Sequence, residues 1–374
     1  MKVLHINCNY IGTTLHQLMV EELERNGYDN LVYVPTYNRN LSVITPNENV
    51  VVSECFKKWD RLIFDYKQIK IMRDLQRKTD VSSFDLIHAY TVFTDGNCAR
   101  KMSRKYDIPY VVTVRNTDVN SFFAKMIHLR NRGIKIMRDA KAIFFLSEAY
   151  RNEVFNKYVP KKLYDELWNK SRIVPNGIDD FWFENVPPTT KKTICCDPIR
   201  LVYAGKIDKN KNIPTIQKAM DILSDRGYAT VLTIVGKVQD MGEYEKIIAH
   251  KDTTYFPAMN KEKLMEVYRS SDVFVMPSFT ESFGLVYVEA MSQGLPVIYS
   301  KGQGFDGQFS EGVVGYHVDS HSLESVADGI EKVVLNYSSL TSAVVAKSRK
   351  FNWTEIVKSY CDVYGKIENL ECVH

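Results

Sequence analysis

Residues 272–307 read DVFVMPSFTESFGLVYVEAMSQGLPVIYSKGQGFDG, and this stretch decides the fold. Val273 to Met276 is a short apolar run closed by Pro277, the pattern of a parallel strand covered on both faces. A polar turn from Ser278 to Glu281 and the pair Phe283-Gly284 lead into a helical pattern carried by Val286, Val288, Ala290 and Met291. Gly294 stops that helix and Pro296 prevents its return. Val297 to Tyr299 resumes a strand, followed by a loop holding Gly302, Gly304 and Gly307. Strand, loop, helix, strand is a βαβ unit, whose ligands sit beyond the carboxyl ends of its strands.

Two carboxylates give this unit its chemistry. Glu281 lies in the loop at the strand's carboxyl end, and Glu289 lies about two turns into the helix. Between them, Ser282, Phe283, Gly284 and Leu285 bring the backbone N–H groups of a helix N-terminus. Such donors, with the positive end of the helix dipole, suit a diphosphate. Gly284 carries no side chain, so a phosphate can come close. A carboxylate on either side of an anion site needs hydroxyls to grip, and a nucleotide-sugar offers both ribose and hexose hydroxyls. The plainer alternative is an ordinary βαβ unit with one capping and one solvated glutamate.

The run PSFTESFGLVYVEAMSQGLPVI resembles the Glu-x7-Glu signature of retaining glycosyltransferases of the GT-B fold, family 4 in particular. The resemblance implies that Glu281 contacts the donor hexose and acts in catalysis. It implies that Ser282 to Leu285 hold the diphosphate and Glu289 the ribose. The same family commonly has Gly-Arg and then Lys after the first strand of its second domain; this chain has Gly205-Lys206 and then Lys211, so the bidentate fork of the arginine is absent. In the first domain the family's glycine pair is replaced by Asn9-Tyr10-Ile11-Gly12, leaving Gly12 to approach the donor phosphates. Where the family reads His-Gly-Thr-Asp, the strand Pro109 to Val114 runs into Arg115-Asn116-Thr117-Asp118. A guanidinium cannot serve as a general base. Arg115 is therefore expected to act electrostatically, with Asn116 and Asp118 on the acceptor side; a structural ion pair between Arg115 and Asp118 is the alternative.

Composition agrees with a soluble two-domain chain. At 374 residues it is long for one core, and charged and hydrophobic fractions of 25% and 45% are ordinary. No apolar run approaches the roughly 20 residues of a membrane helix. MKVLHINCNY reads as a first strand rather than a signal peptide, and seven scattered cysteines read as reduced thiols of a cytoplasmic protein. No cofactor and no metal are expected, since no aspartate pair or Cys/His spacing suggests one. The net charge of +4 hides an asymmetry: residues 1–176 carry 28 Lys+Arg against 19 Asp+Glu, and residues 177–374 carry 21 against 26. No nucleic-acid motif accompanies the basic half, so an anionic membrane surface or a pyrophosphate-linked acceptor is the expected partner.

Residues 55–79, CFKKWDRLIFDYKQIKIMRDLQRKT, predict a basic helical region with Phe56, Trp59, Ile63, Tyr66, Ile69 and Leu75 interleaved. Either that stripe packs on its own domain, or it meets a membrane peripherally. Ser171 to Ile178 resembles the family's strand and Pro-Asn-Gly turn before the domain crossing. The expected organisation is an acceptor-binding Rossmann-like domain over 1–183, a linker over 184–198 and a nucleotide-sugar-binding Rossmann-like domain over 199–354. A terminal helix, about 355–374, returns to the first. These expectations add up to an α/β protein of GT-B type, two doubly wound domains facing a cleft. It would move a hexose from a nucleotide-diphosphate-sugar to a hydroxyl of a glycan or lipid-linked acceptor in cell-surface polysaccharide assembly, peripheral on the inner face of the plasma membrane. A nucleotide-sugar 2-epimerase and a catalytically idle binding subunit are the alternatives of the same fold.

Overall fold

Among the described residues there are thirteen short strands. The inner ones, mostly runs of Val, Ile, Leu and Phe, are largely buried on both faces and have to be covered by helices on two sides. The edge strands Val50–Glu54 and Thr253–Pro257 are mostly half-buried to exposed. The computed structural model describes residues 1–42, 47–189, 193–194 and 198–371. Two compact units emerge: 1–146 with 150–177 and 353–374, and 147–149 with 178–352.

In the first unit the strands are β1 (Lys2–Ile6), β2 (Asp29–Thr36), β3 (Val50–Glu54), β4 (Leu86–Ala89), β5 (Tyr110–Val114), β6 (Ala142–Phe145) and β7 (Ser171–Ile173). They form one parallel sheet in the order β3-β2-β1-β4-β5-β6-β7. The order reverses between β1 and β4, and the loops leaving these neighbours diverge there, which opens a crevice. The helix Trp353–Glu371 completes this unit. It buries Ile356, Val357, Tyr360, Tyr364 and Ile367, and the Tyr364 hydroxyl lies 2.6 Å from Nδ1 of His88 in β4.

The second unit holds β8 (Ile199–Ala204), β9 (Thr230–Gly236), β10 (Thr253–Pro257), β11 (Val273–Met276), β12 (Val297–Ser300) and β13 (Gly315–Val318). Its parallel order is β10-β9-β8-β11-β12-β13, with the reversal between β8 and β11. Both sheets are doubly wound α/β.

The division falls earlier than residue 183. Ile178 already pairs with Asn352, and Trp182 packs 5.7 Å from Tyr268 and gives its carbonyl to Gln293, all within the second unit. Those contacts are remote in sequence, which is why the Pro- and Thr-rich composition at 184–198 drew the boundary too late. Of that expected linker, 190–192 and 195–197, with the Cys195-Cys196 pair, lie outside the described residues. Its start, Glu184, ends the short helix Phe181–Glu184.

Candidate active site

At the switch point of the second sheet, two loops meet: Gly205 to Asn212 after β8 and Pro277 to Gly284 after β11. Asparagines sew them together. Asn210 donates to the Thr280 carbonyl at 2.9 Å and accepts the Thr280 N–H at 3.0 Å, and Asn212 donates to the Pro277 carbonyl at 3.0 Å. Asn212 sits at φ 57°, a left-handed position that asparagine tolerates. The loops are thus joined by neutral asparagine amides bonded to backbone groups, beside the one ion pair between charged residues they carry.

Lys211 and Glu281 face each other across this seam, Nζ to Oε2 at 2.6 Å, both mostly but not wholly buried. The other carboxylate oxygen accepts the Ser282 N–H at 2.9 Å, and the Glu281 N–H donates to Gln303 at 2.9 Å. Glu281 is therefore oriented from both ends. Lys206, by contrast, is exposed, and its ammonium has no carboxylate partner among the described residues. The backbone carbonyl of Lys206 is held by the Tyr203 hydroxyl at 2.6 Å, and the Gly205 N–H donates to Val235 at 2.9 Å.

The helix Leu285–Ser292 starts next to this pair, and no side chain caps it. Gly284 stands at its N-cap with φ 78°; a Cβ there would also lie 2.4 Å from the Tyr287 ring. A Cβ on Gly304 would lie 1.9 Å from the Ser282 carbonyl oxygen, so the glycine loop after β12 presses directly on the turn. The Phe283 side chain is core, 5.4 Å from the Phe351 ring, and its N–H points at Glu281 Oε1 at 3.5 Å. Uncapped N–H groups at a dipole's positive end, with Lys211 held close by on Glu281, suit an anion.

Glu289 lies half-buried on the same helix, and no donor among the described residues reaches its carboxylate. Desolvation pushes its pKa up to about 7, opposed by Lys261, which itself pairs with Asp179. A carboxyl in that state is available to hydroxyls.

The first unit presents a different set. Gly12 borders a cavity of about 430 Å3 at the carboxyl ends of β1 to β3, together with Cys8, Asn9, Thr36, Arg61 and Lys67. Arg61 lies 5.7 Å from the Tyr37 ring centre and Lys67 lies 4.9 Å from that of Phe56; neither pairs with a carboxylate among the described residues. Beneath it, Asp95 is wholly buried, accepting the Thr91 hydroxyl at 3.0 Å and the Cys8 N–H at 3.3 Å; burial pushes its carboxyl up to about 7. In sequence Arg61 and Lys67 stand out only as part of the basic stretch 55–79; the fold alone brings them to Gly12.

Arg115 and Asp118 do not form an ion pair among the described residues. Asp118 is fully buried and accepts backbone N–H groups from Val92 at 3.0 Å, Phe93 at 3.2 Å and Arg115 at 2.9 Å. It clamps the loop after β5 to that after β4, a scaffolding place rather than an acceptor contact, and burial raises its carboxyl to about 6. The Arg115 guanidinium instead donates to Asn176 at 2.8 Å, in the Pro-Asn-Gly turn, and lies 6.0 Å from the Tyr90 ring centre. Its buried Nε has no hydrogen-bond partner among the described residues. Asn116 accepts from Asn120 at 2.7 Å.

Comparison with known proteins agrees with both halves. The profile of Glycosyltransferase Family 4 matches residues 12–180, and that of Glycosyl transferases group 1 matches residues 190–351. An uncharacterized glycosyltransferase of Methanocaldococcus jannaschii is 24% identical over 307 residues, 76% of either chain. Sucrose-phosphate synthase from Thermosynechococcus elongatus superposes with a TM-score of 0.77 at 16% identity, over 99% of this chain and 100% of that one. Anabaena HepE in complex with UDP-glucose gives 0.68 at 15% identity, over 98% and 100%. Two doubly wound parallel sheets, a first half matching one profile and a second half matching the other lead to one assignment: the chain belongs to glycosyltransferase family 4 and has the GT-B fold.

Proposed function

We propose that this glycosyltransferase moves a hexose from a nucleotide-diphosphate-sugar to a hydroxyl acceptor with retention at the anomeric carbon. The observation that carries the reading is the Lys211–Glu281 pair beside the uncapped start of the helix Leu285–Ser292, at the second sheet's switch point. The diphosphate takes the backbone N–H groups, Lys206 and Lys211; Glu281 holds the hexose and Glu289 the ribose. The bond from the anomeric carbon to the diphosphate breaks while the acceptor oxygen adds from the same face. The hydroxyl proton passes to the departing phosphate, so the step needs no separate base. Positive charge fixed before the reaction stabilises the leaving diphosphate as its charge develops. That a structural neighbour is solved with UDP-glucose supports a UDP-sugar as the first donor to test.

The first unit takes the acceptor. Arg61 and Lys67, both without carboxylate partners among the described residues, and the half-buried Arg115 suit an acceptor bearing an acidic group. A glycan or lipid-linked acceptor of cell-surface polysaccharide assembly fits that chemistry, with the protein peripheral on the inner face of the plasma membrane. Among the described residues no helix is long and apolar enough to cross a membrane. The test is thermal stabilisation by UDP- and GDP-sugars, which raise the midpoint by mass action, followed by product analysis with and without acceptors. A stabilising nucleotide-sugar whose sugar reaches an acceptor hydroxyl as the α- or β-anomer it had in the donor is the expected result. A free epimer formed without acceptor would replace transfer by epimerisation, and binding without turnover would leave a binding subunit.

A further inference from the structure

Twelve large hydrophobic side chains are exposed among the described residues, and seven of them lie in two short segments of the first unit. Scattered exposed apolar residues are normal; a concentration of them marks an interaction surface. The first segment is the turn Lys58–Leu62 and the start of the helix Phe64–Lys78, where Trp59 is 76% exposed, Leu62 83% and Ile63 63%. Tyr66 and Ile69 continue it along the helix, whose opposite face buries Gln68, Ile71 and Leu75. The second segment is Met126 and Ile127, the latter 68% exposed. The two are joined: Arg132 pairs with Asp65, its guanidinium lies 5.1 Å from the Phe64 ring centre, and Phe64 meets Phe122 at 6.0 Å.

Charge on this surface has one sign. Residues 57–78 contain eight Lys and Arg against three Asp, and residues 125–138 contain five against none. The three aspartates are already engaged, Asp60 by Lys70, Asp65 by Arg132 and Asp74 by the Tyr33 hydroxyl. Lys57, Lys58 and Lys125 have no carboxylate partner among the described residues and stand beside the apolar side chains. A second copy of this chain would bring cations against cations, so self-association through this face is opposed by its own charge. An anionic bilayer offers the opposite: phosphates for the lysines and an acyl boundary for Trp59, Leu62, Ile63 and Ile127.

We infer that this surface is a docking site for anionic lipid, seated by Trp59, Leu62, Ile63 and Ile127 as an apolar wedge within a ring of lysines. The inference deepens the membrane setting proposed above and rests on it for its purpose, while its measurement needs no sugar transfer. The full chain is sedimented with phosphatidylcholine vesicles, with and without phosphatidylglycerol. Binding to the anionic vesicles alone, reversed by salt, is expected. Each basic side chain near such a surface raises partition about five-fold at low salt, so Lys57→Glu with Lys58→Glu and Lys125→Glu should cut it by about 100-fold or more. Trp59→Ser with Ile63→Ser should cut it by at least about ten-fold. Leu335→Ser, an equally exposed leucine of the second unit, should change nothing. Of the other three tryptophans, Trp182 and Trp353 are buried and Trp168 is packed half-buried against Phe155, so Trp59, the exposed one, gives a local fluorescence reporter that should shift to the blue on vesicle binding. UDP binding by the same variants separates a failed surface from a failed donor site. Equal binding to neutral vesicles, loss of binding in Leu335→Ser, or no vesicle binding would overturn the inference. So would self-association abolished by Trp59→Ser, which would make the face an interface between copies, or capture of an acidic protein by a face that ignores lipid.

Discussion

The two switch points bind their loops with opposite materials. In the second unit, asparagine side chains bond the loops through neutral groups, and the carboxylate of Glu281 stays partly accessible with a lysine against it. In the first unit, the loops are tied by carboxylates themselves: Asp95 joins the loop after β1 to that after β4, and Asp118 joins the loop after β4 to that after β5. Burial raises both acids, to about 7 and about 6. A charged group used as a tie is spent on the scaffold, whereas one held by an accessible counter-ion remains open to a ligand. Finding an acidic residue in a loop beyond a strand does not by itself say which of these it is.

Removing the accessible carboxylate should break the comparison most sharply. Glu281→Gln is expected to lower turnover by about 100-fold or more while UDP still binds within a few-fold, read by initial rates beside calorimetry. Normal turnover would make Glu281 another tie, like Asp118. Arg115 comes next, since its buried Nε is a donor without a hydrogen-bond partner among the described residues. Arg115→Ala should lose about ten- to 100-fold in kcat/KM, with Arg115→Lys recovering part because the guanidinium fork is gone. Unchanged kinetics in a folded Arg115→Ala would reduce it to a brace for Asn176.

Glu289 tests whether the second unit's other carboxylate also faces ligand. Glu289→Ala should weaken UDP binding by about 1–3 kcal/mol, the range for a lost hydrogen bond to a charged group. Its pKa of about 7 adds a pH signature. Below pH 7 the carboxyl is protonated and accepts hydroxyls less well, so UDP affinity should rise a few-fold from pH 6 to pH 8. Glu289→Gln should flatten that rise; a profile unchanged in the variant would assign the titration elsewhere.

The smallest effect belongs to Asp95. Its folded pKa, about 7, lies above the ordinary 3.8, so its contribution to stability is fully present below about pH 4 and is lost as the pH rises through 7. Asp95→Asn removes that titration and keeps an oxygen for the Cys8 N–H. The difference in Tm, variant minus wild type, should therefore become more favourable by a few degrees between pH 6 and pH 8. A constant difference would mean the carboxyl is already ionised at pH 6. The buried His5 works in the other direction, since desolvation lowers it to about 4 and it loses stability as the pH falls from its ordinary value of 6.5. The differential measurement cancels its effect.

How much of this could be read from sequence follows from how local each feature is. The βαβ unit at 273–300, with its two glutamates, is written within thirty residues, and its strands and helix fall where the apolar pattern puts them. The anion site proposed there needs only a glycine, a helix start and a nearby lysine. The cavity of the first unit needs Gly12, Thr36 and Lys67 from three separate segments, and the burial of Asp118 depends on where Val92 and Phe93 lie; neither is local. The stripe from Phe56 to Leu75 divides the same way. Helical spacing places its apolar residues at regular intervals, yet the core takes Phe56 and Leu75 and leaves Trp59, Ile63, Tyr66 and Ile69 outside. Which face a helix buries is decided by the sheet it meets.

The helix Trp353–Glu371 carries a consequence for how the protein comes into being. Translation delivers residues in order, and the strands of the second sheet, β8 to β13, are all present once Val318 has emerged. The first unit, whose strands were made earlier, lacks Ile356, Val357, Tyr360, Tyr364 and Ile367 until more than thirty further residues have been added. Burying such side chains is worth about 1.5–3 kcal/mol each, comparable in sum with the whole stability of a domain. The unit synthesised first is thus the one that closes last. Until then, the nascent chain leaves open the apolar flank around His88 and Phe144 that Tyr360 later covers.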